Sequence, residues 1–122
     1  MDSRGLIEAY WRAANARDWD AFGLLLHPEV VYEVPQTRER VRGREDYLEF
    51  NRTWPGDWRA EVVELMVDGA KGLSVIDFQV DGESMTGISL FETSGGLVTR
   101  ITDWWPSPYD PPQRMTSRIE RY

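Results

Sequence analysis

A carboxylate stands in an unexpected place near the end of the chain. In the stretch VTRITDWW, strand alternation puts Asp103 on the same face as Ile101 and Trp105. That face is apolar and should be buried, where an unpaired charge is costly. An apolar pocket raises the pKa of a carboxylate, which suits it to proton transfer near neutral pH. Asp103 is therefore either a functional carboxylate or a structural aspartate held by a backbone amide or an arginine.

Composition restricts the chemistry further. The absence of cysteine excludes disulfides, a thiolate nucleophile and a cysteine metal site, and a single histidine argues against a histidine-rich metal site. The net charge of −7 argues against a nucleic-acid partner. No apolar run approaches the roughly 18 residues of a membrane span, and the start MDSRGLIEAY lacks a signal-peptide pattern. We therefore expect a cytoplasmic protein with no membrane partner.

The aromatic content favours a ligand cavity or a thick core. Six Trp, five Tyr and four Phe in 122 residues supply large, flat apolar walls. Proton transfer in such a pocket needs only a carboxylate and hydrogen-bond donors. We therefore expect no metal and no organic cofactor.

Periodicity indicates the elements that must position these residues. Apolar residues at helical spacing predict a first helix with Ser3 as its N-cap, and a second within the segment 16–28, with Asp18 as its N-cap and Pro28 at its end. The predicted segments are helices over 3–16, 16–28 and 43–56, a short strand over 30–35, and strands over 58–67, 72–80, 85–93 and 97–105. Helices followed by an antiparallel meander predict an α+β fold in one domain over 1–112, with a C-terminal tail over 113–122.

Four phrases of the sequence together resemble a known superfamily. They are AYWRAANARDWDAFGLLLHPEVVYEVP, VRGREDYLEF, GISLFETSGGLVTRITDWW and WPSPYDPPQR. In this order they resemble the nuclear transport factor 2-like superfamily, and within it the SnoaL-like group of polyketide cyclases, limonene epoxide hydrolases and ketosteroid isomerases. The resemblance implies a cone-shaped, barrel-like domain, in which a curved, mostly antiparallel sheet wraps around three N-terminal helices. It also implies an internal pocket and, commonly, a homodimer.

The resemblance to cyclases and isomerases assigns roles to two residues. Asp103 matches a last-strand carboxylate that serves as acid or base, and Tyr10 matches a helix-one tyrosine that donates to an oxyanion. The aspartate that abstracts the proton in ketosteroid isomerases falls on Val34, and their second oxyanion donor falls near Ser89. Valine cannot take a proton, so we do not expect that isomerase mechanism.

The resemblance to limonene epoxide hydrolases is also incomplete. Tyr32 matches the tyrosine that holds water, while Asp77 and Asp103 match the two aspartates. The bridging arginine, however, falls on Val75, and the asparagine falls again on Val34. The immediate neighbours of Asp77 form the more apolar face of its strand, so a pocket position and an outer position both stay open.

The expected function follows from these residues together with the resemblance. We expect a protein with a small-molecule pocket, an enzyme performing general acid/base chemistry of the cyclase or isomerase type on a small hydrophobic oxygenated substrate. The alternatives are a non-catalytic binder of such a ligand, an epoxide hydrolase-like activity, and a purely structural domain. The resemblance implies that the pocket is lined by Trp11, Val34, Tyr47, Phe50, Trp54, Ser89, Phe91, Ile101 and Trp105.

The outer face of the predicted sheet also carries apolar side chains. Val63, Leu65, Ile88 and Leu90 need covering, which predicts a homodimer. The tail after Pro112 should be the most mobile segment unless it crosses to the partner.

Overall fold

Three helices and six strands follow one another in the computed structural model, which describes residues 1–122. In chain order they are α1 (Ser3–Ala16), α2 (Trp19–Leu24), β1 (Leu26–Val34), β2 (Glu39–Arg42), α3 (Arg44–Arg52), β3 (Trp58–Asp68), β4 (Lys71–Val80), β5 (Glu83–Ser94) and β6 (Leu97–Trp104). The predicted α+β class is confirmed. Strands β3 to β6 lie within two residues of their predicted bounds, because each hairpin has strong turn residues.

Helix α1 is capped one residue earlier than predicted. The N-cap is Asp2, whose side chain accepts a 2.8 Å hydrogen bond from the backbone amide of Gly5. The hydroxyl of Ser3, predicted to be the cap, instead donates to the Gly69 carbonyl at 2.7 Å. The helix ends where Arg17 adopts a left-handed conformation with φ of 57°.

Helix α2 is shorter than predicted. Asp18 caps it as expected, accepting from the Ala21 amide at 3.1 Å, but the helix ends at Leu24. The prediction that Pro28 ends this helix was wrong, because the chain has already entered β1. Proline is tolerated there because the β1–β6 pairing is irregular between Leu26 and Val31.

The six strands form one sheet in the order β2-β1-β6-β5-β4-β3. Strands β1 and β6 are parallel, and the other neighbours are antiparallel. Strand β2 was not predicted, because its sequence ERVR carries one apolar residue and its side chains are mostly exposed at the sheet edge. Strand β6, which carries Asp103, lies between β1 and β5 in the sheet interior.

The helices cover one face of the sheet. Helix α1 packs over β3 and β4, and α3 packs over β1 and β2. The core lies between these layers and includes residues from every helix, such as Ile7, Phe22 and Tyr47. None of the helices is long and apolar enough to cross a membrane.

The opposite face of the sheet carries a continuous outer apolar strip. Its members are half-buried, apart from the more exposed Met66, and pair with one another across β3, β4, β5 and β6: Met66, Leu73, Val75, Ile88, Leu90 and Trp104. Ile88 and Leu90 therefore lie on the predicted face. The placement of Leu65 there was wrong, because Leu65 pairs with buried Ser74 and packs against the core. Val63 lies at a register shift and is 54% exposed.

Candidate active site

Asp103 is a buried carboxylate held by two hydroxyl groups from neighbouring strands. It is 6% exposed. Tyr32 on β1 donates to Oδ2 at 2.6 Å, and Ser89, directly opposite on β5, donates to Oδ1 at 2.6 Å. Both carboxylate oxygens therefore have a partner, although no cation neutralises the charge. This arrangement orients the carboxylate without an ion pair.

Burial dominates the acidity of Asp103. Loss of solvation raises its pKa from 3.8 to about 6, although the hydrogen bonds from Ser89 and Tyr32 oppose the shift. A group with this pKa is mostly ionised at pH 7, yet it can be protonated at little cost. Asp103 is therefore suited to accept a proton and return it at neutral pH.

Two further tyrosines stand beside this carboxylate. Tyr10 on α1 and Tyr47 on α3 share a hydrogen bond between their hydroxyl groups, and Tyr47 stacks on Tyr32 with ring centroids 4.8 Å apart. Burial raises the pKa of Tyr10 and Tyr47, and the charge of Asp103 adds to both shifts, so both hydroxyls stay protonated. One of the two protons makes the mutual bond. The other is available to a ligand.

These groups face a narrow inner chamber of about 40 Å³. This volume accommodates roughly one to three water molecules or a small polar group of a ligand. The chamber is lined by Tyr10, Trp11, Ala14, Tyr32, Tyr47, Phe50, Asn51, Trp54, Trp58, Phe78, Asp103 and Trp105. It is too small for a whole hydrophobic substrate.

An outer cavity of about 350 Å³ adjoins the inner chamber. Trp54, Phe78 and Trp105 line both spaces and form the boundary between them. The remaining walls of the outer cavity are Pro55, Gly56, Val80, Asp81 and Met85. Together the two spaces accommodate a ligand that has a small polar end and a larger apolar body.

The position of Trp105 is fixed from two sides. The amide of Gln36, in the turn between β1 and β2, donates to the Trp105 carbonyl at 3.2 Å and accepts from the Trp105 backbone amide. The indole lies over Gly87, where an added Cβ would come within 2.8 Å of the ring. The ring of Phe78 meets the indole edge-on, with ring centroids 5.3 Å apart. Backbone and side chain of Trp105 are therefore both constrained.

The structure brings together most of the predicted site residues. Tyr10, Tyr32 and Asp103 meet at the inner chamber, and of the predicted lining residues Trp11, Tyr47, Phe50, Trp54 and Trp105 line it. Val34, Ser89, Phe91 and Ile101 are buried but do not line the chamber. Phe91 is covered by the ring of Tyr10, with centroids 5.0 Å apart, and Ser89 contributes through its bond to Asp103.

Asp77 lies outside the site. Its neighbours Ile76 and Phe78 are buried, whereas Asp77 points to the outer face and accepts a 3.1 Å hydrogen bond from Gln79. No register shift interrupts the pairing of β4 with β5 to bring it inward. Val75, the position of the hydrolase arginine, lies on the same outer face. The paired aspartates of an epoxide hydrolase are therefore not assembled.

Some lining residues were not predicted. Phe78 could have been found from the alternation of β4, where it shares the apolar face with Ile76. Trp58 begins β3 and is held by the guanidinium of Arg17, 3.7 Å above its ring. Asn51 faces the chamber from the last turn of α3, with its amide donating to the Tyr47 carbonyl at 2.8 Å. No sequence signal distinguishes the contacts of Trp58 and Asn51.

The site contains no recognisable metal centre. Nowhere do three or more His, Cys, Asp or Glu side chains lie close enough to hold a metal ion. The expectation that the protein works without a metal or organic cofactor remains a prediction.

Comparison with known proteins agrees with this architecture. The family model described as a SnoaL-like domain matches residues 7–101. A crystal structure of a candidate ketosteroid isomerase from Kribbella flavida is 40% identical, covering 98% of this chain and 88% of that chain, with a TM-score of 0.93.

More distant structures share the fold. An LEH-like epoxide hydrolase from M. tuberculosis is 20% identical, covering 84% of this chain and 81% of that chain, with a TM-score of 0.72. A candidate polyketide cyclase from Sinorhizobium meliloti is 23% identical, covering 81% and 93%, with a TM-score of 0.73. No curated protein matches the sequence at a significant level. With the family model spanning most of its length, the chain belongs to the SnoaL-like domain family and has the nuclear transport factor 2-like fold.

Proposed function

We propose that this protein is an enzyme that uses Asp103 as a general acid/base on a small hydrophobic oxygenated substrate, in a reaction of the isomerase or cyclase type. The observation that carries the proposal is the carboxylate of Asp103, which is 6% exposed in an aromatic-lined chamber and has a pKa raised to about 6. A buried carboxylate that titrates near neutrality is a common feature of acid/base sites.

The proposed reaction moves one proton. Asp103 accepts it from a carbon or hydroxyl of the substrate, and negative charge develops on the substrate oxygen. The free hydroxyl proton of the Tyr10–Tyr47 pair stabilises that charge by hydrogen bonding. Asp103 then returns the proton at a second position. Tyr32 and Ser89 hold the carboxylate oriented throughout.

The two spaces limit the substrate. The inner chamber of about 40 Å³ takes only the oxygen-bearing end. The apolar body extends between Trp54, Phe78 and Trp105 into the outer cavity of about 350 Å³. A flat cyclic ketone or enone has this combination of a small oxygen group and an apolar body.

Two other functions make different demands on the site. Epoxide hydrolysis of the limonene epoxide hydrolase type is disfavoured because Asp77 lies on the outer face. A non-catalytic binder would use the same contacts as the proposed enzyme but would not exchange substrate protons.

The experiment follows proton abstraction directly. In deuterated buffer, NMR measures the exchange of α-protons of 2-tetralone and cyclic enones. We expect the protein to accelerate exchange and Asp103→Asn to reduce the rate by about 100-fold. Asp77→Asn is the matched control and should leave the rate unchanged. Equal exchange rates for Asp103→Asn and the unaltered protein would contradict the proposal, and tight binding without exchange would favour a binder.

The partner proposed for the outer apolar strip is a second copy of this chain. Six partly exposed apolar side chains lie side by side on one face across four strands, and a contiguous exposed apolar patch favours an interaction site. A symmetric dimer covers the same strip on both copies at once.

A further inference from the structure

The residues after Trp105 form an arm that makes no hydrogen bond or ion pair with its own domain. Every residue of this arm, 106–122, is exposed. Its Arg121–Asp110 ion pair at 4.0 Å and its hydrogen bond from the Arg118 amide to Thr116 at 3.2 Å are both internal to the arm. Large apolar side chains are left in water: Tyr109 is 84% exposed and Ile119 is 52% exposed. Such a segment gains from a surface to cover.

The arm belongs to the fold shared with the Kribbella flavida protein. Residues 1–105 make up 105 of the 122 residues, about 86% of the chain. A superposition confined to them could not cover 98% of the chain at a TM-score of 0.93. The arm therefore follows a similar course in a crystal structure.

Charge divides the arm from the domain. The arm contains three arginines, Arg114, Arg118 and Arg121, against two acidic residues, whereas residues 1–105 contain eleven basic and nineteen acidic residues. The resulting net charges are +1 for the arm and −8 for the rest. The arm is therefore attracted electrostatically to acidic surfaces of the domain.

The outer sheet face offers such a surface next to the outer apolar strip. Glu61 on β3 lies directly opposite Asp77 on β4, and Glu64 follows on the same strand. None of the three has an ion pair in the structure. Like charges opposite each other in a sheet are destabilising, so this acidic strip favours a cationic partner.

We infer that the arm of one copy docks on the outer sheet face of a second copy, with its apolar side chains on the outer apolar strip and its arginines beside the acidic strip. The inference rests on the proposed homodimer. Trp104, the last residue of β6, itself belongs to the strip and pairs with Ile88. Each arm therefore starts at the face on which the second copy would lie.

The composition of the arm suits docking. Four prolines, at positions 106, 108, 111 and 112, restrict the backbone of its first half. A restricted segment loses less conformational entropy when it is ordered on a surface. The arm thus combines a stiff beginning with apolar and basic residues that match the two strips.

The chain contains no cysteine, so introduced cysteines report docking cleanly. Arg118→Cys protein is mixed with Asp77→Cys protein and oxidised. We expect a covalent dimer of twice 14.2 kDa, more abundant than with either variant alone. Arg12→Cys, on the exposed side of α1, replaces Asp77→Cys as the control and should not cross-link to Arg118→Cys.

Each other outcome overturns the inference. A further variant carries Asp77→Cys and Arg118→Cys in the same chain. Cross-linking only within that chain would show that the arm docks on its own domain. An absence of cross-links would show a free arm. Light scattering on the same samples separates the two proposals: a dimer without arm cross-links refutes the arm alone, whereas a 14.2 kDa monomer refutes the homodimer as well.

A charge exchange tests the pairing of arm and acidic strip. Reversal of Arg114, Arg118 and Arg121 to Glu should raise the dimer dissociation constant about tenfold or more at low salt. A matched reversal of the exposed Arg12, Arg38 and Arg52 should change it about twofold or less. Chains with Glu61, Glu64 and Asp77 changed to Lys should restore dimers when mixed with the arm-reversed chain. Equal effects of the two reversals would refute the pairing.

Discussion

At the scale of single residues, the site depends on how Asp103 is buried. The carboxylate accepts hydrogen bonds from Tyr32 and Ser89 at 2.6 Å, which favour its charged form. Its pKa is nevertheless raised, because the loss of water outweighs two hydroxyl donors. In a purely structural aspartate the hydrogen bonds would outweigh the loss of water, and the pKa would be lowered. The carboxylate is therefore destabilised in the fold at pH 7, as a proton acceptor should be.

This balance predicts how stability depends on pH. The folded pKa of about 6 exceeds the unfolded value of 3.8, so folding favours the protonated form. The stabilising contribution is fully present below pH 4 and is lost as pH rises through 6, by roughly 3 kcal/mol in total. Asp103→Asn should remove this dependence. Urea unfolding should show the variant at least as stable as the unaltered protein at pH 7, with this advantage lost at pH 4. A clearly lower stability of the variant at pH 7 would identify Asp103 as scaffold.

The tyrosine pair makes a separate prediction. Tyr10→Phe and Tyr47→Phe each remove one hydroxyl of the pair. Each should lower the rate of proton exchange by about 10- to 100-fold, because the oxyanion loses an oriented donor. The loss of stability should stay near 1 kcal/mol. Exchange kinetics and urea unfolding measure the two effects, and full activity in both variants would exclude the pair from the reaction.

At the scale of elements, the β1–β2 turn holds the end of β6. The Gln36 amide forms two hydrogen bonds with the backbone of Trp105 and thereby fixes the boundary between the inner chamber and the outer cavity. Gln36 is thus a positioning residue for the site.

Removing this amide should release Trp105. In protein labelled with 5-fluorotryptophan, Gln36→Ala should shift or broaden the fluorine resonance of Trp105, which Trp105→Phe assigns. The stability cost should be about 1–2 kcal/mol. Thr37→Ala is the control, because Thr37 lies in the same turn but bonds to Val34 and Glu39. An unchanged Trp105 resonance in Gln36→Ala would refute the positioning role.

Local sequence signals explain which elements could be predicted. Helix α1 has strong helical periodicity, and the hairpins have strong turn residues. These local signals are enough to predict both kinds of element. The end of α2 depends on the pairing of β1 with β6, which is distant in sequence. The edge strand β2 pairs with β1 but has no apolar pattern of its own. Pro28 was misread because a sheet irregularity, and not a helix end, accommodates it.

In the site, as in the fold, local patterns could be predicted but contacts between distant elements could not. Strand alternation places Asp103 and Tyr32 on the inner face, whereas the sequence left both a pocket position and an outer position open for Asp77. The bond between Tyr10 and Tyr47 could not be predicted, because it depends on how α1 and α3 lie across the sheet. The same holds for Gln36, whose role arises only where the turn meets the end of β6.

At the scale of the whole molecule, the outer apolar strip predicts a homodimer. Light scattering at micromolar concentration should give twice the 14.2 kDa of one chain. Leu90→Arg should produce monomers, because it places an unpaired charge within the covered strip. Leu24→Arg, at a position 77% exposed on α2, should leave the dimer intact. A monomeric unaltered protein would contradict the assignment of this face.

The proposed acid/base role of Asp103 depends on the titration of its carboxyl group inside the folded protein. With ¹³C-labelled aspartate, NMR follows the Asp103 carboxyl carbon through a pH series, and Asp103→Asn identifies its signal. We expect a midpoint at about pH 6, well above the ordinary 3.8. A midpoint at or below 3.8 would show a carboxylate kept ionised by Tyr32 and Ser89, and would contradict an acid/base role for Asp103.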